Sequence, residues 1–197
     1  MKNFFEDGLE VIIKMLVTQL GMTMFGIMIT MAAVSFEAAS ETKTNTLSLV
    51  ASLFAVLMYM FLLYVHVWNK GARDRIKIDG GRMKENKLKG LYLSLVANSL
   101  NILLALVMIS TYYFCDFASN PNSMICQIFG SANDIARIIQ GMFIGIVNYI
   151  SADAQTTTPF MFLLIVVPAL FISTLGYYLG LKNTKVSRWI SDKPANK

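Results

Sequence analysis

Long apolar stretches without charged residues dominate the pattern along the chain. Four of them contain no Asp, Glu, Lys or Arg and cover residues 15–34, 47–68, 90–114 and 160–181. A bilayer core about 30 Å thick needs roughly 20 apolar residues in a helix that rises 1.5 Å per residue. No segment alternates apolar and polar residues over the roughly ten positions of a barrel strand. The sequence therefore predicts an all-α membrane protein, a single domain with a bundle of four transmembrane helices.

A fifth apolar stretch, residues 132–150, has a different pattern. It carries Arg137, Gln140 and Asn148 on one face, while Ile and Met residues recur at helical spacing on the opposite face. Such amphipathic helices lie at the membrane interface or dip into it, and Ser131 and Asp134 are N-cap candidates for its start. We expect an interfacial or re-entrant helix on the outer side. The alternative, a fifth span, would move the C-terminus to the other side of the membrane.

The distribution of Lys and Arg predicts the orientation. Of 17 such residues, eight lie in residues 69–89 and five in residues 182–197, whereas residues 35–46 and 115–158 hold only Lys43 and Arg137. Short cytoplasmic loops carry the excess of positive charge in membrane proteins. With four spans, both termini and a basic loop over residues 69–89 are expected on the cytoplasmic side of a bacterial-type cell membrane.

Composition agrees with a membrane location. The chain is 55% hydrophobic and 15% charged, with a mean hydropathy of +0.55, whereas soluble domains contain about 25% charged residues. These values nearly exclude a water-soluble enzyme. Because the basic residues lie beside the spans and form no nucleic-acid motif, the positive net charge does not indicate a nucleic-acid partner.

Each predicted span carries a row of small or polar residues on one helix face, at spacings of three, four or, from Tyr59 to His66, seven positions. Such faces meet other helices, while large apolar faces meet lipid. The rows are Gln19, Thr23, Gly26, Thr30 and Ala33; Ser48, Ser52, Ala55, Tyr59 and His66; Gly90, Ser94, Ala97, Asn101 and Ala105; and Ala169, Ser173, Gly176 and Gly180. The rows predict a compact bundle with small residues inside.

Several polar side chains within the spans form a candidate polar pocket. They are Gln19, Thr23, Tyr59, His66, Asn98 and Asn101. The two amides of the third span either tie helices together or line a cavity, and Asn101 is expected to bond to Gln19 or Thr23 on the first helix, or to Ser52 or Tyr59 on the second. His66 is an interfacial residue of an aromatic belt or, alternatively, a proton relay or metal ligand. A lone His builds no metal site, so no cofactor or metal is expected.

The two cysteines, Cys115 and Cys126, fall on the same predicted outer side with ten residues between them. This spacing permits a structural disulfide if that side is oxidising, and two free thiols are the alternative. It matches neither a C-x-x-C redox motif nor a zinc site.

The basic loop has a turn signal at Asp79-Gly80-Gly81, which permits a short hairpin, although two strands alone are marginal in water. Its cations form a candidate contact with anionic headgroups or a partner protein, unless they act only as the topology signal. The candidate contact residues are Arg73, Arg75, Lys77, Arg82 and Lys84.

The sequence contains no catalytic constellation. We expect a non-enzymatic accessory or complex-forming subunit that contacts a membrane-protein partner or a second copy of itself. The alternative is a small-solute carrier or a membrane-embedded enzyme with a polar pocket around Asn98 and Asn101.

Overall fold

The computed structural model describes residues 2–39, 46–115, 123–150 and 160–182, with side chains from residue 8 onward. All regular secondary structure within these ranges is helical. The helices are α1 (Lys2–Ala39), α2 (Thr46–Asp79), α3 (Lys89–Ala97), α4 (Ser99–Phe114), α5 (Met124–Ile139), α6 (Ile144–Ile150), α7 (Phe160–Leu164) and α8 (Val166–Leu181), with a 3₁₀ turn at Gly141–Phe143 between α5 and α6. The basic residues Lys43, Lys185, Arg188, Lys193 and Lys197 lie outside the described residues.

Three helical segments are long and apolar enough to cross a membrane: Gly8–Ala39, Thr46–Asp79 and Phe160–Leu181. The last consists of α7 and α8, which are separated only at Ile165. Pro168 follows three residues later and has no N–H to donate to Leu164, which weakens the helix at this point. The bent pair α3 and α4 makes a fourth span if it is counted as one. The described chain therefore has the helices of a multi-pass membrane protein.

The third predicted span, residues 90–114, is not one continuous helix. α3 and α4 meet at an angle of 60° at Asn98. The side-chain Nδ2 of Asn98 donates to the carbonyl oxygen of Ser94 at 3.0 Å, and its backbone N–H donates to the same oxygen at 2.9 Å. Asn side chains compete with the backbone for hydrogen bonds in this way, which is why they favour helix ends over helix interiors.

The prediction of a loop over residues 69–89 is wrong for residues 69–79, because α2 continues to Asp79. The hairpin that the turn signal permitted does not form, since Gly80 and Gly81 terminate this helix. Gly81 has a φ of 69°, its N–H bonds to the Ile78 carbonyl at 2.9 Å, and the Arg82 N–H bonds to the Lys77 carbonyl at 2.9 Å. These two bonds form a Schellman motif, which requires the left-handed conformation that glycine adopts without strain.

The single helix predicted over residues 132–150 is wrong too. α5 begins earlier, at Met124, and its N-cap is Ser123, whose side chain accepts a hydrogen bond from the Cys126 N–H. Ser131 and Asp134, the predicted N-caps, lie inside α5. The helix then breaks at Gln140, and α6 starts after the 3₁₀ turn.

Residues 124–150 run into the bundle and back out. Cys126 in the first turn of α5 is bonded to Cys115 at the end of α4, and Thr23 near the middle of α1 donates to the carbonyl of Ile139. After the turn, Gly145 packs against Ser48, close to the start of α2. We call residues 124–150 the inserted hairpin.

Packing follows the rows of small and polar residues. Every member of the four rows is buried except His66, which is half-buried. Several approaches are too close for a side chain larger than hydrogen, since a Cβ on Gly26 would lie 2.5 Å from the Cα of Met142, and one on Gly71 would lie 2.5 Å from the Tyr177 carbonyl oxygen. The rows of α1 and α2 thus receive the turn of the inserted hairpin, while α2 and α8 meet at Gly71 and Gly180.

Candidate functional site

Five polar side chains from different helices surround a small cavity, which we call the polar centre. They are Gln19 of α1, Tyr59 of α2, Asn98 and Asn101 at the bend between α3 and α4, and Gln140 at the end of α5. The cavity has a volume of about 10 Å³. The structure therefore brings together four of the six predicted pocket residues and adds Gln140, which the sequence placed on the polar face of an interfacial helix.

Three interruptions of helical backbone meet at the polar centre. They are the bend at Asn98, the turn that follows Gln140, and the break at Ile165 before α8. The carboxyl ends of α3 and α5 and the amino ends of α4 and α8 lie here, so partial negative and partial positive charges of helix dipoles are both present.

The amides at the α3–α4 bend form a chain of hydrogen bonds. Asn101 Nδ2 donates to Asn98 Oδ1 at 3.1 Å, and Asn98 Nδ2 lies 3.0 Å from the Ser94 carbonyl oxygen. Ser94 Oγ in turn donates to the Ala169 carbonyl oxygen of α8 at 3.5 Å. Asn101 thus bonds to its neighbour across the bend rather than to the partners predicted on α1 and α2.

Two of those expected partners hold the inserted hairpin instead. Thr23 Oγ1 donates to the Ile139 carbonyl oxygen at 2.8 Å, and Ser52 Oγ donates to the Met142 carbonyl oxygen at 2.5 Å. Ile139 is the last residue of α5 and Met142 lies in the 3₁₀ turn, so the two hydroxyls attach α1 and α2 to the turn of the inserted hairpin.

Some polar atoms of the polar centre have no hydrogen-bond partner among the described residues. They are Oδ1 of Asn101 and both Oε1 and Nε2 of Gln140. Asn101 is 4% exposed and Gln140 only 2%. A buried polar group without a partner costs about 1–3 kcal/mol, so this arrangement demands an explanation.

His66 lies apart from the polar centre. It is half-buried, and its Nδ1 lies 2.7 Å from the Leu62 carbonyl oxygen of its own helix. Among the described residues, no group of three or more His, Cys, Asp or Glu side chains could hold a metal ion.

A second buried polar site, which we call the charge cluster, joins α2, α3 and α8. Asp74 accepts from Lys70 Nζ at 2.8 Å through Oδ1, and from Lys89 Nζ at 2.8 Å and the Tyr177 hydroxyl at 2.9 Å through Oδ2. Asp74 is 0% exposed, Lys70 5% and Lys89 3%. Two buried ammonium groups thus pair with the one carboxylate of Asp74.

The charge cluster was not predicted, because Lys70, Asp74 and Lys89 fall in the stretch that was expected to be a loop. A signal was present: the buried row of α2 continues through Leu63, Val67, Lys70 and Asp74 at spacings of three and four. Lys70 and Asp74 also have the i,i+4 spacing of a helical ion pair.

The candidate residues for headgroup contact lie on or after the last turns of α2. Arg73, Arg75, Arg82 and Lys84 are exposed and Lys77 is half-buried. Arg73 lies 3.5 Å from Glu10 and Arg75 lies 2.9 Å from Asp79. Exposed ion pairs of this kind contribute little to stability, so these side chains are able to exchange partners.

Cys115 and Cys126 form a disulfide with a Cα–Cα distance of 5.1 Å. It joins the end of α4 to the first turn of α5. Nearby, the rings of Tyr112 and Phe129 lie 5.7 Å apart between their centroids. The sequence allowed either a disulfide or two free thiols at these positions, and the structure contains the disulfide.

No protein-family model, curated protein or solved structure matches this chain.

Proposed function

We propose that this chain is a non-enzymatic, complex-forming subunit of a cell membrane, and that a helix of its partner protein lies in a groove between α4 and α5. The groove is shallow and open along its length, with a volume of about 400 Å³. Its lining residues are Leu104, Met124, Gln127, Ile128, Ser131, Ala132 and Ile135. This groove is the observation on which the proposal rests.

The polarity of the groove supports a protein occupant over lipid. Ser131 lines it and is exposed, and the exposed Asp134 follows on the same side of α5. Exposed polar groups at the level of lipid tails are unfavourable unless another helix supplies hydrogen-bonding partners. A partner helix with amide, hydroxyl or basic side chains at this level would supply them.

The walls of the groove are already held in place, which favours binding because little order is lost on association. The Cys115–Cys126 disulfide joins α4 and α5 at one end. Ala105 and Met108 of α4 pack with Phe129 and Ala132 of α5 further along.

A different protein fits this surface better than a second copy. Two-fold contacts pair the same surface patch of both subunits. A dimer built on this side of α5 would bring two Asp134 carboxylates toward each other, whereas a partner helix can place a basic residue there.

Site-specific photo-cross-linking in intact membranes tests the proposal. A cross-linking residue at Ser131 should give one discrete product, and one at Ser110, an exposed residue of α4 outside the groove lining, should give none. A product with twice the mass of the chain would show that the partner is a second copy of this chain. The absence of any product at Ser131, together with a lone monomer in mild detergent, would contradict the subunit role.

The same proposal includes a sidedness for the bundle. Disulfides persist in oxidising compartments, which supports an outer location for Cys115 and Cys126 and a re-entrant course for the inserted hairpin from that side. The basic residues at the end of α2 then lie in the cytoplasm against anionic headgroups, as do both termini. Cysteine labelling at Lys84 and beyond Lys182 should read cytoplasmic, and an outer signal at either place would reject this orientation.

A small-solute carrier is the second candidate, favoured by the polar centre. Broken helices near the middle of a bundle form the binding sites of many transporters. A cavity of about 10 Å³ holds no solute larger than water, so a carrier role requires a more open state. A thermal-shift screen of small polar solutes tests it: a solute that stabilises the wild type but not Asn101→Val would support the carrier, and no stabilising solute would oppose it.

A further inference from the structure

We propose that the polar centre binds one uncharged, hydrogen-bonding molecule of the size of water between Asn101 and Gln140. This binding site is independent of the complex-forming role, since it lies inside the bundle and the proposed partner lies on its surface.

The size of the cavity sets the upper limit for the occupant. A single water needs roughly 10–15 Å³ when volume is measured with a water-sized probe. The polar centre offers about 10 Å³. A molecule of one heavy atom therefore fits, and a larger solute does not.

The unpaired atoms define the hydrogen-bonding character of the occupant. Asn101 Oδ1 needs a donor, whereas the Gln140 amide presents both a donor and an acceptor. A molecule that accepts from Gln140 Nε2 and donates to Asn101 Oδ1 gives a partner to one atom of each side chain at once. Buried waters bind in this way, with about three hydrogen bonds to groups that otherwise lack partners.

The charge of the lining excludes an ion as the preferred occupant. The lining consists of Gln19, Tyr59, Asn98, Asn101, Gln140, Met142, Phe143, Ile165, Val166 and Ala169. None of these side chains is that of Asp, Glu, Lys, Arg or His. Amino and carboxyl ends of helices both lie there, so their partial charges stabilise neither a cation nor an anion preferentially. An ion buried there would be strongly unfavourable.

The backbone geometry supports a binding site rather than a packing defect. Non-helical backbone at membrane depth occurs where it is buried in protein or lines a cavity. Here the bend at Asn98, the turn after Gln140 and the break at Ile165 all line the same cavity.

A double-mutant cycle on the full chain in detergent tests the shared occupant. Asn101→Val and Gln140→Met should each lower the melting temperature, because each leaves the bound molecule and the opposite amide without a partner. The double variant should lower it by clearly less than the sum of both shifts. Asn101→Val with Ser110→Ala is the control pair, and its shifts should add.

Two results would overturn the site. One is additivity of Asn101→Val and Gln140→Met, and the other is a rise in melting temperature for both single variants, which would mean that the amides are merely unpaired. If Asn101→Val does not fold, Asn101→Ser replaces it, because its hydroxyl keeps part of the hydrogen bonding and should keep part of the coupling. Absence of coupling with Asn101→Ser would overturn the site equally.

Two further measurements identify the occupant. Replacing choline chloride by NaCl, KCl or NH₄Cl should leave the melting temperature of the wild type unchanged. A stabilisation that Gln140→Met abolishes would show that a cation binds instead and would overturn the proposal.

Permeability measurements on proteoliposomes then distinguish a molecule that exchanges with the solvent from one that stays bound. A permeability to water or ammonia that exceeds that of empty vesicles and is lost in Gln140→Met shows a molecule that exchanges. A permeability equal to that of empty vesicles, with the coupling between Asn101→Val and Gln140→Met retained, shows a resident water.

Discussion

The polar centre and the charge cluster both place polar side chains inside a helical bundle, but they satisfy them differently. In the charge cluster, both carboxylate oxygens of Asp74 accept hydrogen bonds, and the donors come from α2, α3 and α8. In the polar centre, neutral amides of Asn101 and Gln140 keep atoms without a partner among the described residues. A fully paired cluster connects helices rigidly, whereas an incompletely paired one is able to receive a molecule.

The largest effect is expected from removal of the central carboxylate. Asp74→Ala removes the carboxylate that pairs with the buried Lys70 and Lys89 ammonium groups, and breaking a buried ion pair in this way costs about 3–5 kcal/mol. The free energy of unfolding in detergent measures this loss. Asp79→Ala is the matched control, because Asp79 forms only an exposed pair with Arg75 and should change stability by less than about 1 kcal/mol. Equal effects of the two variants would show that the cluster does not connect the helices.

Loss of the disulfide should affect the polar centre and spare the charge cluster. Replacing Cys115 and Cys126 by Ser is expected to reduce the free energy of unfolding by at most about 3 kcal/mol, since a loop of this length restricts the unfolded chain. Hydrogen exchange should then increase in α5 around Gln140 and stay unchanged around Asp74. An increase of the same size at both places would mean that the two regions unfold together.

Close helix packing beside the charge cluster should be sensitive to a single methyl group. A Cβ on Gly71 would lie 2.5 Å from the Tyr177 carbonyl oxygen and 3.0 Å from Gly180 Cα, so Gly71→Ala is expected to cost about 1–3 kcal/mol by overpacking. Gly21→Ala, where nothing lies within 4 Å, should be neutral or stabilise α1 by about 0.5–1 kcal/mol. Melting temperatures of the two variants provide the comparison, and a tolerated Gly71→Ala would mean that α2 and α8 separate easily.

The smallest effect is expected at the polar centre itself. Asn101→Val removes the hydrogen bond to Asn98 and the proposed one to the bound molecule, and such bonds in membrane proteins average about 0.6 kcal/mol each. Chemical unfolding in mixed detergent should show this small decrease. A loss as large as that of Asp74→Ala would remove the distinction between the two regions.

Much of the architecture is readable from local sequence patterns. The four apolar stretches correspond to α1, α2, the α3–α4 pair and the α7–α8 pair, and nearly all members of the four rows of small and polar residues are buried. Apolar length and a spacing of three or four residues are properties of a single segment, so each helix reveals its inner face without knowledge of its neighbours.

Only the tertiary structure decided which polar residues meet. Gln140 joins Asn101 because Thr23 and Ser52 hold the inserted hairpin from two other helices, and the sequence contains no local sign of those contacts. Likewise Lys70 and Lys89 look like solvated loop residues until Tyr177, 103 positions from Asp74, completes their surroundings. Burial of a charge is favourable only when its partners are in place, and those partners come from distant parts of the chain, so hydropathy and spacing could not reveal it.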